Sequence, residues 1–411
     1  MMMNIIDLFS GAGGLTEGFR NDNFNIICHI EKNKDACETL KVREAYYYLK
    51  KVDKLFLYKN YLNGRISKNE LLNEIPKEQI DSVLNIEINE KSLDEILNYI
   101  DAKTDRVDGI IGGPPCQAYS TIGRAINEKK KNSDDRIYLY KYYLSFLNKY
   151  SPKFFIFENV KGLLSFKDVD GLLLLPKIKS EFRNAGYIIS DKVINSSDYG
   201  VSQNRERLFI FGLRNNVKLD KNFFDELEKL KEKPLNLEKL FNDLPSINAG
   251  EEGYNYRAIR LSYEKKKYYR NLDEKIPLTL HLARPQTNND LKIYKIVQEA
   301  KQSGRNIKYF ELPSGLQNHS NKDSFLDRFK ALDENGYSHT VVAHISKDGH
   351  YYIHPSMGQT RSITVREAAR IQGFPDNYYF QNSRTAAFVQ IGNAVPPILS
   401  KKIADTVTKL F

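Results

Sequence analysis

DGIIGGPPCQAYS, residues 108–120, decides the expected fold. Its β-branched apolar residues end in two glycines, two prolines and a cysteine, which predicts a buried strand, Val107 to Ile111, followed by a stiff loop. Because open α/β sheets present their ligands at the carboxyl ends of parallel strands, this loop is a suitable place for a thiol nucleophile. A lone Cys116 could equally be a small buried hydrophobe, so its interpretation depends on the rest of the chain.

A glycine-rich turn follows another apolar run near the start of the chain, in the order Phe9-Ser10-Gly11-Ala12-Gly13-Gly14-Leu15. Strand, glycine turn and helix are typical of folds that hold a nucleotide-like cofactor, because glycine lets backbone N–H groups approach it closely. The next predicted strand, Phe24 to Ile30, ends at Glu31, about twenty positions past the turn, where an acidic side chain can bond a ribose. A solvated carboxylate at the end of a strand is the alternative for Glu31.

Charged side chains mark the ends of two later strands. Phe154 to Phe157 predicts a buried strand that ends at Glu158, and a carboxyl group buried there would have a raised pKa and could give a proton to a ring nitrogen. Arg205 and Arg207 are two positions apart and share one face of a strand, where guanidinium groups suit a carboxylate or a carbonyl. The alternation of strands and helices up to residue 213 predicts a doubly wound, mostly parallel α/β fold.

Composition narrows the class of protein. A chain of 411 residues is long enough for two domains, and its net charge of +10 favours a polyanion such as nucleic acid, although a biased genome composition gives basic chains too. No apolar run is long enough to span a membrane, and the first residues do not resemble a secretory signal. The three cysteines suggest no disulfide framework and lack the spacing of a zinc site, so we expect a reducing cytoplasm and no metal.

Changes in composition and in the alternation of predicted strands and helices divide the sequence into three predicted parts. Residues 1–235 form the catalytic and cofactor-binding domain, with a largely helical insertion at 41–103. Residues 236–384 form a second, smaller domain, in which strand-helix alternation is lost and Lys, Arg, Tyr, Asn and Gln interleave, a mixture that suits contacts to phosphates and base edges. Residues 385–411 return to the first domain.

Six stretches together resemble the DNA (cytosine-5)-methyltransferase family. They are DLFSGAGG at 7–14, GPPCQ at 113–117, ENV at 158–160, QNRER at 203–207, REAARIQGFPD at 366–376 and QIGNAVPP at 390–397. Between the fourth and the fifth lies an irregular segment, where this family keeps its target recognition domain. The resemblance implies a Rossmann-like methyltransferase sheet with a smaller recognition domain and a hinge helix.

The resemblance also implies roles for single residues. Cys116 matches the nucleophile that adds to C6 of cytosine, Glu158 matches the carboxyl group at N3, and Arg205 and Arg207 match the arginines that hold the base and that carboxylate. S-adenosylmethionine is the implied cofactor and S-adenosylhomocysteine the product. The expected cofactor-binding residues are Phe9, Ser10, Gly11, Gly13, Gly14, Leu15, Glu31, Gly113, Pro114, Asn393 and Val395. The expected DNA-binding residues are Gln117, Ser120, Arg257, Arg260, Lys266, Arg284, Arg366 and Arg370.

Double-stranded DNA is the implied partner, and the target base must be flipped out of the duplex. We expect a bacterial enzyme that acts as a monomer in the cytoplasm, on the nucleoid, beside a restriction endonuclease that acts separately. Three alternatives share some of these features: a tRNA cytosine methyltransferase, a DNA-binding regulator without activity, and a nicotinamide-dependent oxidoreductase. The intact cysteine and glycine loops argue against the second, and the missing GxGxxG spacing argues against the third.

Overall fold

The computed structural model of the protein describes residues 2–115, 135–317 and 326–411. Its strands are β1 (Met3–Leu8), β2 (Phe24–Glu31), β3 (Val83–Asn85), β4 (Gly109–Gly112), β5 (Phe154–Val160), β6 (Tyr187–Asn195), β7 (Gln203–Asn204), β8 (Glu206–Arg214) and β9 (Ser338–His339). The main sheet has the order β3-β2-β1-β4-β5-β8-β6, and β7 pairs with β9. All neighbours in the main sheet are parallel except β8, which is antiparallel to β5 and β6. The predicted doubly wound, mostly parallel sheet is confirmed.

Helices connect these strands and cover the sheet. They are α1 (Lys34–Lys51), α2 (Leu55–Leu62), α3 (Lys68–Asn73), α4 (Lys77–Asp81), α5 (Leu93–Asp101), α6 (Leu139–Tyr150), α7 (Leu174–Asn184), α8 (Phe223–Glu228), α9 (Leu237–Phe241), α10 (Tyr263–Tyr268), α11 (Asn288–Gln302), α12 (Val365–Ile371), α13 (Arg384–Asn393) and α14 (Pro397–Leu410). A capping box begins α12, in which Thr364 and Glu367 satisfy each other's backbone N–H groups, and Gly373 follows the helix with a positive φ of 86°.

Residues 41–103 are largely helical and also contain β3. This strand pairs in parallel with β2 and forms one edge of the main sheet, so the segment contributes to the sheet as well as to its helical surroundings. Its helices have a small apolar core of their own, which includes Tyr46, Leu49, Tyr58 and Leu71.

Apolar clusters cover both faces of the sheet, and a separate small core lies between residues 293 and 353. The helix α14 packs against a 3-10 helix near the start of the chain, Thr16–Phe19. Gly18 in that 3-10 helix is necessary for the contact, because an added Cβ would lie 2.2 Å from the carbonyl carbon of Ser400. The first and last parts of the sequence are therefore joined in one core. Within the described residues, the helices are all too short or too polar to cross a membrane.

Candidate active site

The glycine turn lies at the carboxyl end of β1. Phe9, Gly11 and Gly13 have positive φ angles of 56°, 54° and 79°, so the turn folds through left-handed conformations that glycine adopts without strain and phenylalanine does not. The N–H of Gly13 donates to the carbonyl of Ser10 at 2.9 Å, and Ser10 is tied to β2 through Ile30. Among the described residues, a Cβ built on Gly11 would meet no atom within 4 Å, so the turn faces open space at this residue.

Glu31 closes the base of this turn from the end of β2. Its Oε2 accepts from the N–H of Gly11 at 2.8 Å, and its Oε1 accepts from the N–H of Asn33 at 2.7 Å. Burial raises the pKa of the Glu31 carboxyl, and the two N–H donors act against that rise. Glu31 therefore lies against the turn, and its contact to a ribose stays a prediction.

The residues after α13 complete the turn from the far side. A Cβ on Gly14 would lie 2.2 Å from the carbonyl oxygen of Val395, so the two backbones touch only because residue 14 is glycine. Asn393 is exposed at the end of α13, and Val395 is buried. The backbone of Val395 therefore lies beside the glycine turn, and the contacts of Asn393 and Val395 to a cofactor stay predictions.

Gly113 and Pro114 leave the end of β4 beside β5. A Cβ on Gly113 would lie 2.6 Å from Oε2 of Glu158, and the side-chain amide of Asn159 donates to the carbonyl of Pro114 at 3.3 Å. Glu158 lies inside β5, which continues to Val160, rather than after the strand as the sequence suggests. The cysteine loop thus leaves the sheet directly against the carboxylate.

Arg207 holds the Glu158 carboxylate from β8. Its Nε lies 3.3 Å from Oε1 of Glu158, and about one seventh of each side chain is exposed (15% and 14%). Burial raises the pKa of Glu158, and the positive charges of Arg207 and Arg205 lower it, with the rise prevailing. A carboxyl group of this kind can hold a proton at a higher pH than an exposed glutamate.

Arg205 lies between β7 and β8. Its guanidinium group is buried and donates to the carbonyl of Val341 at 2.8 Å and to the carbonyl of Gly392 at 3.1 Å. Arg205 thereby joins this part of the chain to the segment after β9 and to α13, and its contact to the base stays a prediction.

Gln203 is a positioning residue that the sequence analysis did not single out. Its Oε1 accepts from the N–H of Val341 at 2.8 Å, and its amide nitrogen donates to the carbonyl of Ile371 at 3.3 Å. The QNRER stretch drew attention to this part of the chain. Only the fold shows that the side chain of Gln203 binds residues 341 and 371.

The predicted DNA-binding residues separate into three groups. Arg366 and Arg370 are fully buried, which corrects the expectation that they contact DNA. Arg370 binds Asp243 and Asp376, whereas Arg366 donates to Thr279 and to the carbonyl of Tyr378. The reason is that every residue of α12 is buried, so neither arginine can lie on an exposed face of the helix.

Of the others, Arg284 is half-buried and donates to the carbonyls of residues 345 and 346 at 3.2 and 3.0 Å, so it supports a loop. Arg257, Arg260 and Lys266 are exposed and stay predicted DNA contacts. Cys116, Gln117 and Ser120 lie outside the described residues.

The carboxyl ends of β1, β2, β4 and β5 therefore bring together the residues predicted for a cofactor site and those predicted for a catalytic site. The left-handed turn, the open space before it and the Glu31 carboxylate at its base fit a nucleoside with a charged tail. In the described ranges, no group of three His, Cys, Asp or Glu side chains is arranged to hold a metal ion.

Comparison with known proteins agrees with this arrangement. Residues 3–57 and 63–409 match the sequence profile of C-5 cytosine-specific DNA methylases. The chain is 39% identical over 443 residues to the type II methyltransferase M.Bpa9945I of Bacillus paralicheniformis, covering 98% of each. It is 30% identical over 426 residues to the type II methyltransferase M.DdeI of Desulfomicrobium norvegicum, covering all of this chain and 89% of that protein. Among solved structures, a prophage-encoded DNA modification methyltransferase from E. coli shares the fold, with a TM-score of 0.65, 24% identity and 99% coverage of both chains.

Proposed function

The chain belongs to the C-5 cytosine-specific DNA methylase family, and we propose that it methylates C5 of one cytosine in a short duplex sequence, as the modification enzyme of a type II restriction-modification system. The observation that carries this proposal is the Glu158–Arg207 pair, 3.3 Å apart, which lies against Gly113 at the start of the loop that holds Cys116.

S-adenosylmethionine fits the glycine turn as the methyl donor. Phe9, Ser10, Gly11, Gly13, Gly14 and Leu15 would hold its charged tail, Glu31 its ribose, and Gly113, Pro114, Asn393 and Val395 the remaining walls of the site. When bound, S-adenosylmethionine supplies an electrophilic methyl group. The chain's own residues must then make C5 of cytosine nucleophilic, because the unmodified ring does not react at that carbon.

Cys116 performs this activation. Its thiolate adds to C6, so that an S–C6 bond forms and the electron pair of the C5–C6 double bond moves toward C5. Once C5 is methylated, loss of the C5 hydrogen as a proton returns an electron pair to the C5–C6 bond. The S–C6 bond breaks as this double bond re-forms, so that C6 keeps four bonds, and Cys116 leaves as a thiolate.

Glu158 reduces the charge that this addition creates. In its protonated form the carboxyl group can donate to N3 of the ring, and its raised pKa increases the protonated fraction near neutral pH. Arg207 keeps the carboxyl group in place from the adjacent strand. The burial of Glu158 therefore serves the reaction rather than stability.

DNA recognition is proposed for residues 236–384, and above all for their separate core between residues 293 and 353. The exposed positions of Arg257, Arg260 and Lys266 support phosphate contacts by this part of the chain. The relatives are type II methyltransferases of bacteria. From this we propose that the protein acts as a monomer on nucleoid DNA in the bacterial cytoplasm, with a restriction endonuclease that acts separately.

The test is transfer of a labelled methyl group from S-adenosylmethionine to unmethylated genomic DNA and, in parallel, to bulk tRNA. Label in DNA, found by bisulfite sequencing at one short repeated sequence, supports the proposal. Label in tRNA alone would change the substrate, and no label in either would favour a regulator without activity. Cys116→Ala should lose all transfer but keep its DNA affinity, whereas retained turnover would remove Cys116 from the mechanism.

A further inference from the structure

A buried cluster of polar side chains lies behind the glycine turn. It consists of Asp7 on β1, Thr16 and Arg20 at the two ends of the 3-10 helix, His29 on β2 and Glu44 on α1, and we call it the Asp7 cluster. Asp7, His29 and Glu44 are 1%, 0% and 4% exposed. Such burial of charge is costly unless each group is paired, so the arrangement of these groups is strongly specified.

The hydrogen bonds of the cluster form one continuous chain. Thr16 donates its hydroxyl to Asp7, and Nδ1 of His29 lies 3.3 Å from the same carboxylate oxygen. On the other side of the ring, Nε2 of His29 lies 3.0 Å from a terminal nitrogen of Arg20 and 3.0 Å from Oε1 of Glu44, and Arg20 also donates to Glu44.

These partners define the protonation of His29. Asp7 can only accept, so the single proton of a neutral ring is on Nδ1, and Nε2, which lies near both Arg20 and Glu44, then accepts from Arg20. Burial lowers the pKa of His29, and the nearby positive charge of Arg20 lowers it further, against the opposite effect of Asp7. A neutral imidazole with one donor and one acceptor therefore connects Asp7 to Arg20.

The hydrogen bonds of the Asp7 cluster hold the 3-10 helix that follows the glycine turn. The helix follows the glycine turn directly, and the cluster fixes its first residue, Thr16, to β1 and the residue that ends it, Arg20, to β2 and α1. Between them, Glu17 is bound by Arg43 of α1, with Nε 3.0 Å from Oε2. The sheet and α1 thus hold both ends of the segment whose start is the glycine turn.

We propose that His29 is a positioning residue for the cofactor: by joining Asp7 to Arg20 it fixes the glycine turn in the conformation that binds S-adenosylmethionine. This inference rests on the proposed function, because it takes the turn to be the cofactor site. His29 touches neither cofactor nor DNA. Its loss therefore weakens cofactor binding without affecting the catalytic groups.

The experiment measures calorimetric affinity for S-adenosylhomocysteine, DNA affinity, and kcat and KM for the wild type, His29→Leu, His29→Asn and Glu44→Gln. His29→Leu leaves buried partners unsatisfied and should weaken S-adenosylhomocysteine binding by about tenfold or more. His29→Asn keeps a donor for Asp7 and should recover part of that loss. KM for S-adenosylmethionine should rise in both, while kcat at saturating cofactor and DNA affinity stay within about twofold.

His281→Asn is the matched control. His281 is equally buried and has two hydrogen-bonding partners, Thr364 and the carbonyl of Pro245, but it lies in the second domain. The His281→Asn substitution should lower the melting temperature and leave the affinity for S-adenosylhomocysteine unchanged. If the His29 variants bind the cofactor as the wild type does, or if His281→Asn shows the same loss, the inference is wrong. A wild type that binds no S-adenosylhomocysteine would overturn the proposed function itself, and with it the inference.

Discussion

The backbone of Gly113 lies so close to the side chain of Glu158 that a methyl group added at residue 113 would come within 2.6 Å of Oε2. The same methyl group would lie 3.0 Å from the carbonyl oxygen of residue 158. The start of the segment that leads to Cys116 and the strand that carries Glu158 are therefore packed against each other without room for any side chain at residue 113. If Cys116 and Glu158 have their proposed roles, small changes at this contact must alter catalysis.

Gly113→Ala should reduce kcat by about 100-fold, because a displacement of the order of 1 Å between reacting groups has an effect of this size. Steady-state methylation of DNA measures the loss. Gly315→Ala is the matched control, since a Cβ at residue 315 meets no atom within 4 Å, and it should leave kcat unchanged. Equal activity of the two variants would show that the Gly113 contact is not needed.

Glu158→Gln should lower kcat by at least about 100-fold, because an amide cannot give up a proton to N3. In the wild type, kcat should fall as the pH rises through the raised pKa of Glu158, and the variant should lose this limb of the profile. A wild-type rate that is independent of pH over this range would argue against a protonated Glu158.

The same variant should be more stable than the wild type at neutral pH. A carboxyl group whose pKa is raised by folding stabilises the folded state most below its unfolded pKa, near about 4, and loses that contribution as the pH rises through its folded pKa. The melting temperature of Glu158→Gln should exceed that of the wild type at pH 7, and the difference should disappear toward pH 4. A lower melting temperature at pH 7 would contradict the role of burial in raising this pKa.

Arg370→Leu should destabilise the protein by about 3 kcal/mol or more, because it leaves the buried carboxylates of Asp243 and Asp376 without a major partner. Urea unfolding measures this loss. Arg260→Leu, at an exposed position, should change the free energy of unfolding by no more than about 0.5 kcal/mol. If Arg370→Leu weakened only DNA binding and not stability, its assignment as a structural residue would be wrong.

Replacement of Arg257, Arg260 and Lys266 together by alanine should weaken DNA binding and make it less dependent on salt. The slope of log K against log salt should decrease by about 0.9 for each phosphate that the protein no longer neutralises. The control replaces three exposed cations of the helical segment, Lys51, Lys54 and Arg65, with the same change in net charge. Equal slopes in the two triple variants would exclude a specific contact by the first group.

Exchange of residues 250–355 for the corresponding segment of another family member should change which DNA sequence is methylated. Base readout depends on the few side chains that reach base edges, and this segment contains the separate small core of the second domain. Bisulfite sequencing of DNA methylated by the hybrid identifies its target. A hybrid that keeps the original target would place recognition elsewhere in the chain.

Much of the arrangement at the carboxyl ends of the strands could be predicted from the sequence, because strand ends, glycines and prolines are recognisable from short sequence patterns. The glycine turn, Glu31 and Glu158 were found in this way, and their convergence follows from the parallel order of β1, β2, β4 and β5. These features depend on backbone conformation and on short-range patterns, which the order of residues records directly.

The roles of the arginines could not be predicted in the same way. Arg366 and Arg370 look like a basic face of a helix, yet their partners, Thr279 and Asp243, are distant in the sequence and become neighbours only in the folded chain. Arg205 similarly finds its acceptors at residues 341 and 392. The sequence alone does not distinguish a buried arginine from an exposed one when the carboxylates and carbonyls that bind the buried one are distant along the chain.

The contact of α14 with the glycine turn also has a consequence for the stage of protein synthesis at which we expect activity to begin. Ser400 donates to the carbonyl of Leu15 across 385 positions of sequence, and Gly14 meets Val395. A ribosome synthesises Leu15 385 positions before Ser400, so a nascent chain has all the proposed catalytic residues before the turn gains this contact. We therefore expect activity to begin only after synthesis has passed residue 400, and a prematurely terminated product that lacks α14 should be unable to modify DNA.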